Sequence, residues 1–147
     1  MSVALNMPLG MPRIIPLPMG DDDTVRRWKL ISNWQYNLGS IKIFIASRFI
    51  FDGASIPKVF RSIYNPTGYL LIAALIHDYC YQYGHYMEIF IEGERPFKVI
   101  VTRSRADLMF KRIGNIEYPG HRKKTWVAYK MLQAGGYVAW NRYRKNN

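Results

Sequence analysis

Cysteine is almost missing from this chain: Cys80 is the only one in 147 residues. No intrachain disulfide can form, so the fold must hold through packing, and a reducing compartment suits such a chain. Long apolar runs are missing too. The longest, Tyr69 to Ile76, stops at His77 and falls far short of the ~20 residues a membrane span requires. The N-terminus has no basic segment ahead of an apolar one, and Pro8, Pro12, Pro16 and Pro18 break the run that would follow, so no secretory signal is expected. Acidic residues are scarce in one region above all. Residues 103–147 hold eleven Lys/Arg against two Asp/Glu, whereas residues 1–102 hold ten against eight, so nearly all of the +11 net charge sits in the last third.

What is present bounds the class. Hydrophobic residues at 49% and aromatics at 15% exclude a disordered chain, and the length suits one domain with a core of its own. The basic last third favours an anionic partner: a phospholipid surface, nucleic acid or an acidic protein. The plain alternative is a solvated helical face, because charge speaks to association and not to fold.

Residues 1–20 read as an extended, proline-rich arm, since closely spaced prolines remove backbone donors and hold φ near the polyproline value. Residues 21–147 read as a single α+β domain. "GDDDT" makes a polar turn. Trp34, Tyr36 and Leu38 alternate with polar residues, and Ile41, Ile43 and Ile45 follow Gly39-Ser40, which predicts a β-hairpin. A third strand is expected over Arg48 to Phe51. Beyond Pro57 the period becomes helical, with Val59, Phe60, Ile63 and Tyr64 on one face. A second helix is expected from about Gly68 to Gln82, capped by Thr67 or Asn65. Residues 83–96 read as loop and Phe97 to Val101 as a short strand. Ser104 is the expected cap of a helix carrying Leu108, Met109 and Ile113. From His121 to Tyr143 the chain is amphipathic, with Trp126, Val127, Met131, Leu132, Val138 and Trp140 available for burial. Gly135-Gly136 predicts a kink or a close helix contact there. The whole is a small antiparallel sheet and arm packed on a three- to four-helix half.

The chemistry concentrates in "ALIHDYCYQY" and "SRADLMF". His77 and Tyr81 are four residues apart and share a helix face, while Asp78 points about 100° away. Asp107 lies on the next strong helix, and antiparallel packing would bring it to His77. A carboxylate at one imidazole nitrogen fixes the tautomer and makes the other nitrogen a base. Asp78 could ligate a hard cation together with loop oxygens. Each residue also has a plainer role: His-Asp pairs at helix edges are commonly structural, Asp52 in "DGAS" suits a turn, Cys80 reads as a packed thiol, and His85 and Glu88 lack zinc-site spacing and read as loop residues. His121 is expected to cap or solvate the last helix.

"HDYCY" followed by "RADLMF" resembles the active-site half of phospholipases A2, particularly the compact domain carried by parvovirus capsids. That resemblance implies His77 as the base that activates water, Asp78 as a Ca2+ ligand, Asp107 as the carboxylate that orients His77, and Tyr81 as a hydroxyl supporting it. The glycine-rich calcium loop of those enzymes has no clean match: "YNPTGYL" is proline-bearing and too near His77, and "DGAS" is the other candidate. The ordered set "FDGASIP", "AALIHDYCY" and "SRADLMF" also resembles a family of small proteins common in tailed bacteriophages and prophages. This implies a phage context, with synthesis in the host cytoplasm and a place in the virion under a structural role, and it supplies no activity.

Three functions are compatible with these features. The first is a calcium-assisted lipid ester hydrolase held on anionic phospholipid by the basic last third. The second is a virion, tail or assembly component that uses the His-Asp cluster as a polar fastener and the arm for contacts with other virion proteins or copies of itself. The third, nucleic-acid binding near Trp126, Tyr129, Tyr137 and Trp140, is the weakest, because no recognised docking motif is present.

Overall fold

The helix that carries His77 is apolar on nearly every side, and this decides the architecture. The computed structural model describes residues 11–19, 27–51, 70–91 and 94–145. In it Leu71–Tyr83 forms α1, with Leu71 through Asp78, Cys80 and Tyr81 all buried. A helix buried all round must be wrapped by other elements. Arg103–Glu117 (α2) and Arg122–Lys145 (α3), joined by a 3-10 turn at Pro119–His121, pack against it and against each other.

Seven strands complete the described residues, in two antiparallel sheets. The smaller has the order β1 (Ile14–Pro16), β2 (Trp28–Leu30), β5 (Ile50–Phe51). The larger has the order β3 (Trp34–Leu38), β4 (Ile41–Ile45), β6 (His85–Glu88), β7 (Phe97–Ile100). The fold is therefore α+β, with two small sheets where the sequence suggested one. The expected hairpin is β3–β4, in the register Trp34↔Ile45 to Leu38↔Ile41. Gly39 turns it at φ 61°, the positive value that two-residue hairpin loops demand at their first position. Tyr36, Leu38, Ile43 and Ile45 are buried, as their alternation requires. The Tyr36 hydroxyl donates to Glu117 Oε2 at 3.0 Å and ties this sheet to the end of α2.

Several expectations are corrected. Residues 83–96 are not all loop. Gly84, at φ 72°, ends α1 and sends the chain straight into β6, which pairs with both β4 and β7. Only Tyr86 of β6 is buried, so His85 and Glu88 read as loop residues although they sit in the middle of a sheet. α1 starts at Leu71, after Leu70 in a left-handed conformation and with no side-chain cap. The cap candidates Asn65 and Thr67 lie outside the described residues, as do Asp52 of "DGAS", residues 1–10 of the arm and the helix expected after Pro57. Residues 11–19 are described, and Ile14–Pro16 of the expected arm is an edge strand of the chain's own sheet.

The helices also present faces other than those expected. α2 buries Ala106, Asp107, Phe110, Ile113 and Gly114, leaving Leu108 52% exposed. α3 buries Thr125, Ala128, Tyr129, Leu132, Gly136 and Ala139, a mostly small-residue face that lets it approach its neighbours closely, while Trp126 and Val138 face outward. The cap of α2 is Thr102, whose hydroxyl accepts from the Arg105 amide at 3.2 Å. Thr102→Ala should thus lower unfolding stability by about 1 kcal/mol, the usual loss for an N-cap hydroxyl, with Ser104→Ala within about 0.5 kcal/mol of wild type. Urea titrations of the two variants check this, and the reverse ranking would contradict the cap assignment.

Candidate functional site

The site lies where α1, α2 and α3 meet. Leu70 at the head of α1 lies against Gly114 late in α2, where an added Cβ would stand 3.0 Å from Leu70 Cδ2. His77 and Tyr81, further along α1, meet Asp107 early in α2. The two helices consequently run antiparallel. Helical spacing puts His77 and Tyr81 one turn apart on the face toward α2, with ring centroids 4.1 Å apart.

Asp107 is the hub. Its Oδ1 lies 2.7 Å from His77 Nε2 and accepts from the Tyr81 hydroxyl, also at 2.7 Å. Its Oδ2 faces Arg103 Nη1 at 3.5 Å, an i,i+4 ion pair along α2. His77 and Asp107 are each 1% exposed. A carboxylate is acceptor-only, so the imidazole must donate through Nε2, and in the neutral ring Nδ1 is then the basic nitrogen. Burial, the hydrogen bond to Asp107 and the charge of Asp107 raise the Tyr81 phenol well above its ordinary value, with Arg103 opposing, so its hydroxyl keeps its proton and stays a donor.

The surroundings restrict motion of these groups. The Phe110 ring meets His77 edge-on at 5.6 Å, and Trp140 of α3 meets Tyr81 edge-on at 5.3 Å. Arg103 Nη1 reaches the Leu132 and Gln133 carbonyls of α3 at 3.4 and 3.3 Å. Arg144 donates to the Tyr81 and Gln82 carbonyls and stacks on Trp140 at 4.3 Å. Gly136 passes so close to Tyr81 that a Cβ there would sit 2.3 Å from the phenol oxygen. The double glycine therefore marks a close helix contact.

Of the residues singled out from the sequence, His77, Asp107 and Tyr81 converge. Asp78 is buried on another side of α1. No group of three or more His, Cys, Asp or Glu that could hold a metal occurs among the described residues. Calcium takes six to eight oxygens, and the two segments considered as calcium loops lie, Leu70 apart, outside the described residues. Cys80 is fully buried, and burial pushes its thiol up to about 12. Arg103, Phe110, Gly136, Trp140 and Arg144 complete the site without having been assigned to it from the sequence. Arg103 carried a local signal in its spacing of four from Asp107, and Gly136 carried one in the double glycine.

The model of a family described as protein of unknown function (DUF1353) matches residues 28–131, and the chain belongs to that family. No curated protein and no solved structure matches the chain.

Two measurements probe this packing. Glycine to alanine inside a helix ordinarily stabilises by roughly 0.5–1 kcal/mol, but Gly136→Ala should destabilise by roughly 1–3 kcal/mol, the range for overpacking. In a Tyr81→Phe background the nearest remaining ring atoms are 3.3 and 3.4 Å away, so the same alanine should be close to neutral. Urea unfolding of the four-member cycle tests this, and additive effects would contradict it. Stability should also fall as pH rises through about 9, where Cys80, raised from 9.0 to about 12, keeps a proton that the unfolded chain releases, and fall further above 10. Tyr36 and Tyr81 are both raised above 10.0 in the folded chain; beyond that pH the unfolded chain releases protons the folded chain retains, which makes the slope negative. Unfolding free energies measured across alkaline pH check the sign.

Proposed function

We propose that this is a phage-encoded hydrolase with a phospholipase A2-like site, in which His77 is the general base for attack of water on a lipid ester. The observation that carries the reading is the single Asp107 oxygen that receives both His77 Nε2 and the Tyr81 hydroxyl at 2.7 Å. This directs the basicity of the ring to Nδ1. In the reaction, water attacks the ester carbonyl as its proton passes to Nδ1. The tetrahedral intermediate then expels the alkoxide, which takes that proton back from the imidazolium. Atoms balance, and His77 returns to its starting state. Asp107 orients the ring and stabilises the imidazolium, Tyr81 holds Asp107, and Arg103 offsets the carboxylate charge. A bound Ca2+ would polarise the carbonyl and stabilise the developing oxyanion; Asp78 is the carboxylate proposed to hold it. The chain would be made in the host cytoplasm and act during infection or lysis.

A second reading is favoured by the near-complete burial of His77 and Asp107. In it the cluster is a polar fastener between helices of a virion or tail component, and removing one partner strands the other without compensation.

Fatty-acid release from neutral and anionic vesicles, with and without calcium, separates the two. Under the first reading the wild type hydrolyses and His77→Gln loses at least ~10²-fold, since a positioned base typically contributes 10²–10⁴. Wild-type inactivity in every condition, together with an Asp107→Ala variant destabilised by roughly 1–3 kcal/mol, would leave only the fastener.

A further inference from the structure

The residues that α3 leaves outside are as informative as those it buries. Seven Lys/Arg and no acidic residue lie between Arg122 and Lys145. Among the described residues the ion pairs are those of Asp107, so Lys123, Lys130, Arg142 and Lys145 are not neutralised by a described acid. On the same helix Trp126, Tyr137 and Val138 are 51, 53 and 56% exposed. At 100° per residue, Lys123, Trp126, Val127, Lys130, Tyr137 and Val138 fall within one arc of about 120°. A shallow groove of about 400 Å³ opens there, lined by Arg122, Lys123, Trp126 and Val127, and Lys130 Nζ lies 5.6 Å from the Trp126 ring.

We propose that this outward face of α3 docks flat on an anionic phospholipid bilayer. Its cations match the headgroup charge, lysine stems can lie along apolar surface with their ammonium groups toward phosphate, and an indole half out of the protein suits the headgroup boundary. The aliphatic Val127 and Val138 favour lipid over nucleic acid, because neither can stack on a base nor donate to a phosphate. No described helix is long and apolar enough to cross a membrane, so α3 lies on the surface. The surface is independent of ester hydrolysis, and it would serve a virion component as well as an enzyme.

The test is co-sedimentation of the full chain with phosphatidylcholine vesicles, with and without phosphatidylglycerol, read alongside tryptophan emission. Binding should be at least ~10-fold tighter to the anionic vesicles, weaken with salt, and shift emission to the blue, a shift that Trp126→Phe removes. Each basic residue at such a surface is worth about fivefold, so Lys123→Glu with Lys130→Glu should lose ~10-fold or more. Thermal unfolding confirms that the double variant is folded, and Lys123→Gln with Lys130→Gln replaces it if it is not. His77→Gln should bind like wild type, which separates docking from catalysis. Equal binding to neutral and anionic vesicles, indifference to the lysine changes, or tight binding to duplex DNA without binding to anionic vesicles would overturn the proposal.

Discussion

A buried carboxylate must be satisfied or it unfolds what surrounds it, and Asp107 is the one around which the helical half is arranged. Its oxygens take donors from the neighbouring α1, His77 and Tyr81, and from its own helix, Arg103. Arg103 extends the arrangement to two carbonyls of α3. Three helices are thereby held in one register by an acceptor that tolerates few alternatives, since sliding α1 by a residue would carry both donors off it. The apolar contacts stabilise the assembly, and the polar ones select which assembly forms.

That constraint also explains the unusual content of α1. A helix covered on nearly all sides would ordinarily be apolar throughout, yet this one buries His77 and Asp78 in adjacent positions. His77 is answered by Asp107. Chemistry and packing ask for the same geometry here, because a ring locked by a 2.7 Å contact is both a good fastener and a well-directed base. The two readings of the cluster differ in whether a substrate reaches the ring.

Period and spacing made part of this legible in the sequence. The β3–β4 hairpin followed from strict alternation, and the meeting of His77, Tyr81 and Asp107 followed from helical spacing and the antiparallel return of α2. β6 escaped because its pairing is non-local: "HYME" carries His85 and Glu88 at its ends and buries only Tyr86, so no apolar period announces it. Large apolar residues misled in α3, where close packing selected Ala128, Gly136 and Ala139 for the inside and left Trp126 and Val138 outside. Thr102 and Ser104 are equally good caps in composition. Only the backbone path, extended at Thr102, decides between them.

The contact between Gly136 and Tyr81, with Arg144 on the carbonyl of the same tyrosine, has a consequence for the order in which the chain is made. During vectorial synthesis His77 and Asp107 can meet once α2 has emerged. Tyr81, however, gains its wall and its backbone anchor only from residues 55 and 63 positions further along. Until α3 has emerged, a nascent chain therefore holds both members of the imidazole–carboxylate pair but neither the wall nor the anchor of the phenol beside them. The site is complete only when its last helix is present.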